Sequence, residues 1–175
     1  IDKEFISTNP FASLKSSVRA NDDRSHFVTL PEIQKALDSA PDAEWRLLFG
    51  LCRWGGLRCP SEVVRLRWQD IDFENSRFTV HSPKTEHHIG QEKRVVPMFP
   101  EIKPLFLAAF DAAPEGAVYC VHKERGDGVN LRTQLTRIIK RAGLEPWPKL
   151  FQNLRSTRET ELFRLTSGDV KSVCS

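Results

Sequence analysis

Three basic side chains stand where packing gives no reason for them. Arg58 follows a double glycine in WGGLRCPSEVVRLRW, Lys84 lies in the polar stretch SPKTEHH, and Arg155, in FQNLRSTRE, is expected at the start of the last helix. Arginine presents a planar fork of N–H donors to two phosphate oxygens, and lysine adds a mobile point charge. Brought together, the three could grip one phosphate and stabilise charge developing on it. Each also has a local use. Arg58 can pair with Glu62, Arg155 with Glu159 one turn on, and Lys84 can be a solvated turn lysine.

The elements that must position these residues are legible from period and punctuation. Thr29 caps a helix at LPEIQKALDSA, with Glu32 three residues later as the reciprocal partner. A second helix, DAEWRLLFGLCRW, places Trp45, Leu48, Leu51 and Cys52 on one face and stops at Gly55-Gly56. The glycines signal a close approach of backbone or ligand. Val63, Val64 and Leu66 read as a further helix, with Pro60 and Glu62 in its first turn. That reading sets Arg58 just outside the positive end of a helix dipole, where a cation needs an anion.

Beyond Trp68 the period changes. A short extended piece, a turn at Glu74-Asn75-Ser76 and the strands RFTVH and KRVVPMF suggest a small antiparallel sheet whose hairpin tip carries Lys84. Helices return at EIKPLFLAAFDAA, at NLRTQLTRIIKRAG between the cap Asn130 and the stop Gly143, and at LFQNLRSTRETELF. The expected fold is mainly α with a small antiparallel β-sheet. Residues 1–26, polar and broken by Pro10, read as a linker, and 27–175 as one domain.

Composition narrows the classes. A chain of 175 residues, 39% hydrophobic and 28% charged, has the make-up of an ordinary globular domain. No apolar run reaches membrane-span length. Cys52, Cys59, Cys120 and Cys174 show no CxxC spacing, so buried free thiols in a reducing, cytoplasmic setting are expected. The net charge of +3 is uneven: Lys123 to Arg164 holds ten Lys/Arg against five Asp/Glu. Such a region fits a nucleic-acid footprint or a solvated helix face.

The residues also carry a resemblance. GGLRCPSEVVRLRWQDID resembles the first arginine box of the tyrosine recombinase (phage integrase) family, FTVHSPKTEHH its lysine-bearing β-hairpin, and FQNLRSTRETEL its second arginine box. All three occur in the family's order. The resemblance implies a catalytic domain acting on duplex DNA, alongside other recombinase protomers in a nucleoprotein complex. It makes Arg58 and Arg155 the arginines on the scissile phosphate, Lys84 the proton donor to the leaving 5′-hydroxyl and Glu62 a supporting acid. It implies a tyrosine nucleophile and neither metal nor cofactor. Residues 1–26 become the linker from an absent N-terminal DNA-binding domain.

Two departures stand out. Gln152 occupies the second box's histidine position and cannot shuttle a proton at neutral pH. The chain is expected to stop before the family's nucleophilic tyrosine, so it is expected to be inactive alone. Its one tyrosine, Tyr119 in AVYCV, reads as strand core. The alternative to a recombinase fragment is a degenerate, non-catalytic DNA-binding module. A metal-dependent nuclease would need a carboxylate cluster, and His81, His87 and His88 lack a Cys or acidic partner at zinc spacing. Trp45, Trp54 and Trp68 are expected in the core, and Trp147 in a packed turn.

Overall fold

A computed structural model describes residues 24–82, 93–123 and 130–166. Their order is α1 (Leu30–Asp38), α2 (Ala43–Arg53), β1 (Ile71–Asp72), β2 (Arg77–His81), β3 (Lys93–Pro97), α3 (Lys103–Asp111), α4 (Leu131–Arg141) and α5 (Leu150–Leu165). The fold is mainly α with a small antiparallel sheet, as the sequence indicates.

Local chemistry sets most helix ends. Thr29 and Glu32 exchange hydrogen bonds at the start of α1, with Thr29 N–H donating to the Glu32 carboxylate at 2.7 Å. Asp42 accepts from the Trp45 N–H at 2.9 Å and Asn130 from the Thr133 N–H at 3.0 Å. Each such cap is worth about 1 kcal/mol. Gly143, at φ 72°, supplies the left-handed residue after α4.

Helix α2 is more enclosed than a one-faced pattern implies. From Glu44 to Arg53 only Arg46 is exposed, because α1, α3 and α5 all pack on it. Its last residue, Arg53, is fully buried and donates from Nη1 to Glu161 of α5 at 2.9 Å, with Nη2 on the other carboxylate oxygen. Glu161 also takes Arg158, whose guanidinium lies 4.1 Å from the Phe99 ring centroid. Two helices are thus tied by charge as well as by packing.

The strands run in the order β1-β2-β3, all antiparallel, with Phe78 opposite Val96 and Val80 opposite Arg94. Phe78, Val80 and Val96 face inward into the core. There Phe106 makes edge-to-face contacts with Trp68, Phe73 and Phe78 at centroid distances of 6.3, 6.2 and 5.4 Å. Full burial of Phe106 contributes roughly 2–3 kcal/mol, and each ring pair about 1 kcal/mol more. Trp45, Trp54 and Trp147 are buried, while Trp68 is half-buried at the edge of this cluster.

Two expectations are corrected. No regular helix follows Arg58: the chain makes an irregular turn and a single 3-10 turn at Val63–Arg65. It cannot go on as a helix, because Leu66 to Trp68 pair with a distant segment. Trp68 N–H donates to Val118 O and Cys120 N–H to Leu66 O, both at 3.0 Å. The same pairing corrects Tyr119. It is half-buried in a lone β-bridge with Arg67, whose guanidinium lies 5.7 Å from its ring centroid, whereas Cys120 and Val121 are the core residues of that run.

Residues 24–28 lie along α5. Val28 N–H donates to Thr157 Oγ1 at 2.9 Å, Asn153 Nδ2 donates to Arg24 O at 3.1 Å, and His26 stacks on Trp147. Among the described residues no helix is long and apolar enough to cross a membrane, and Cys52, Cys59 and Cys120 are free thiols.

Candidate phosphate-binding site

The two glycines let the chain reverse after α2 and deliver Arg58. Gly55 N–H donates to Gly50 O and Leu57 N–H to Leu51 O, folding the loop back on the helix. A Cβ on Gly55 would lie 2.8 Å from Leu51 O, so only glycine fits. Gly56 holds φ +65°, and the stem of Arg155 crosses above it, with Cγ 3.8 Å from where a Cβ would be. The approach signalled by the glycines is therefore protein against protein, and it sets Arg155 beside the Arg58 loop.

The anion at Arg58 is internal. Glu62, four residues on, is buried and receives the Arg58 N–H at 2.9 Å and Arg58 Nη1 at 2.7 Å. Two further residues converge on the same carboxylate. Arg94 of β3 donates Nη1 at 2.9 Å and Nη2 at 2.8 Å, and Ser82, just past β2, donates its hydroxyl. Burial alone would raise the Glu62 pKa. The Arg94 guanidinium, the Arg58 amide and the Ser82 hydroxyl outweigh it and hold the group at about 2. Glu62 is thus ionised throughout the neutral range.

Arg155 lies in the second turn of α5, not at its start. Its Nε is 3.1 Å from Glu159 Oε1, yet this buried nitrogen forms no aligned hydrogen bond. The ion pair anticipated as a local alternative is present, but it leaves donor capacity unused. Gln152 is exposed one turn earlier on the same helix, and i,i+3 spacing turns it toward the Arg155 side. Cys52, fully buried, feels the charges of both Glu62 and Arg155, which places all three in one neighbourhood. The hydrogen bond its thiol gives to Cys59, then burial, push the Cys52 thiol well above its ordinary range, so it is no nucleophile at neutral pH.

The structure therefore brings together Arg58, Glu62 and Arg155, with Gln152 on the helix that carries Arg155. Lys84 lies outside the described residues, as do His87, His88 and Cys174. Tyr119 is occupied with Arg67. His81 pairs with Asp70 at 3.3 Å, and no group of three metal-ligating side chains occurs among the described residues. Sequence reasoning missed Ser82 and Arg94. The available signal for Arg94 was strand alternation: in KRVVP it shares the inward face with Val96, a place where an arginine needs a buried partner.

The profile described as "Phage integrase family" matches residues 26–173. No curated protein matches the chain. Among solved structures, XerA recombinase aligns at TM-score 0.69 and 21% identity, over 85% of this chain and 52% of its own. The lambda integrase dimer bound to a COC′ core site aligns at 0.65 and 21%, over 96% and 62%. The Tn1549 transposon integrase in complex with transposon right end DNA aligns at 0.70 and 21%, over 96% and 62%. At such identities the likeness is one of fold, and the chain spans less than two thirds of each of these proteins.

Proposed function

This chain belongs to the phage integrase family, and we propose that it binds duplex DNA through its backbone as the catalytic-domain part of a site-specific tyrosine recombinase. In this reading residues 1–26 are a linker and the remainder a catalytic-like domain. Arg58 and Arg155 take the two non-bridging oxygens of one phosphate, and Gln152 donates a further hydrogen bond. Glu62 fixes Arg58, and Lys84 delivers a proton to the leaving oxygen. In the complete reaction a tyrosine hydroxyl attacks phosphorus. The new O–P bond gives a 3′-phosphotyrosine as the tyrosine gives up its proton to solvent, the bond to the 5′-oxygen breaks, and that oxygen leaves with the proton from Lys84. Reversal by a different 5′-hydroxyl rejoins the strand. Cations fixed before the phosphorane forms stabilise its charge without reorganising at that moment. The residues invoked need neither metal nor nucleotide.

The observation that carries the reading is a partly exposed Arg58, anchored by a buried carboxylate, beside an Arg155 whose side chain is also partly exposed and crosses the Gly56 turn. The chain is proposed to work with further copies on one DNA and to reside in the cytoplasm. The test is duplex binding across a salt series. Affinity should fall with a log–log slope of roughly −0.9 per phosphate contacted, and Arg58→Ala or Arg155→Ala should weaken binding and flatten the slope by about one contact. Binding that ignores salt, or that survives both substitutions, defeats the proposal.

A further inference from the structure

The hydrogen bonds around Glu62 divide its two arginines unequally. Arg94 commits both terminal nitrogens, Nη1 to Oε1 and Nη2 to Oε2. Arg58 commits only Nη1, to Oε1 and more loosely to Ser82. A carboxylate has about four acceptor sites. Five donors already converge on its two oxygens, namely both Arg94 nitrogens, the Ser82 hydroxyl, the Arg58 amide and Arg58 Nη1, so the carboxylate is saturated and has no room for a second Arg58 side-chain nitrogen. Its Nε and Nη2 edge has no hydrogen-bond partner among the described residues, and its side chain is 37% exposed.

Charge follows the same division. One carboxylate against one arginine is a neutral pair with little pull on an anion. One carboxylate against two leaves a net positive charge, and it resides on the arginine with an open edge. Arg94 stands opposite Val80 in β3 with its side chain 38% exposed, and from there both of its terminal nitrogens reach the fully buried Glu62 carboxylate.

We propose that Arg94 is a positioning residue that takes up the charge of Glu62, leaving Arg58 fixed in place and electrically free to bind a phosphate. The inference rests on the reading of Arg58 as a phosphate ligand, and it adds to that reading a residue of the sheet that touches no substrate. Arg94 acts through Arg58, so removing either should remove the same contact.

The experiment is a double-mutant cycle on the full chain, using fluorescence anisotropy with a short duplex at low salt. Arg94→Gln should lower affinity about as much as Arg58→Ala, on the order of tenfold, and the double variant should be no weaker than the weaker single one. Arg94→Lys, which restores the charge, should recover most of the loss. Additive losses would make Arg94 a separate phosphate contact and overturn the proposal, as would unchanged affinity in Arg94→Gln. A DNA-free readout keeps the two claims separate. The Glu62 side-chain carboxyl, followed by carbon NMR, should titrate clearly higher in Arg94→Gln than in the parent chain and close to the parent in Arg94→Lys. An unmoved titration refutes the role of Arg94 whatever the DNA result. A parent chain that binds no duplex while Glu62 still shifts refutes only the phosphate reading of Arg58.

Discussion

Replacing Glu62 by Gln tests the centre of the site with a change of charge and almost none of shape. Glutamine has the outline of a protonated glutamate, so the variant resembles the acid form at every pH. In the folded chain Glu62 is held at about 2 against an ordinary value of 4.5. Each tenfold change in proton affinity is worth 1.36 kcal/mol, so the ionised carboxylate contributes about 3 kcal/mol to stability at neutral pH. The sign follows from linkage. The folded pKa is depressed, so the contribution is complete above pH 4.5 and is lost as pH falls toward 2. Glu62→Gln should therefore unfold more easily in urea than the parent by about 3 kcal/mol at pH 7. At pH 3.5 the gap should narrow to about 2 kcal/mol, as protonation in the unfolded parent chain erodes its advantage. The amide's own donors, facing two guanidinium groups, can only enlarge the neutral-pH figure. An equal difference at both pH values, or one below about 1 kcal/mol at pH 7, would show that the carboxylate is not the anchor described.

Three further outcomes follow from the packing. Glu161→Leu strands the buried Arg53 without its carboxylate and should cost about 3 kcal/mol, while Arg53→Met added to it should return most of that; equal losses in single and double variants would contradict the tie between α2 and α5. Gly56→Ala should cost about 1 kcal/mol from its left-handed backbone, and Gly55→Ala more, because its Cβ would meet Leu51 O at 2.8 Å; thermal unfolding in the reverse order would refute this account of the loop. Incubation with a nicked suicide duplex should leave Tyr119 unmodified, since that ring lies over Arg67 in a β-bridge; a mapped adduct on Tyr119 would overturn its placement.

The elements that could be read from sequence are those whose causes are local. Thr29 with Glu32, Asp42, Asn130 and Gly143 fix helix ends through contacts a few residues apart, and RFTVH and KRVVP reveal themselves by alternation. The Arg58–Glu62 and Arg155–Glu159 pairs were legible for a related reason, since partners four residues apart are a short-range pattern, whereas Arg155 was expected at the start of its helix and lies a turn further in. What escaped was decided over long range. The turn after Arg58 reads as helical in isolation, but Leu66–Trp68 pair with the distant segment Val118–Cys120. Arg94 reaches Glu62 only because β3 pairs with β2 in one particular register, and a shift of one residue would turn it to solvent. Helix α2 hid its burial because a segment enclosed on every side loses the contrast that marks an amphipathic face.

The attachment of residues 24–28 has a mechanical meaning. The chain enters the domain by grasping α5 at Asn153 and Thr157, the two positions that bracket Arg155, and only then proceeds to α1. Tension applied along the polypeptide ahead of Arg24 is therefore delivered first to the helix that carries Arg155.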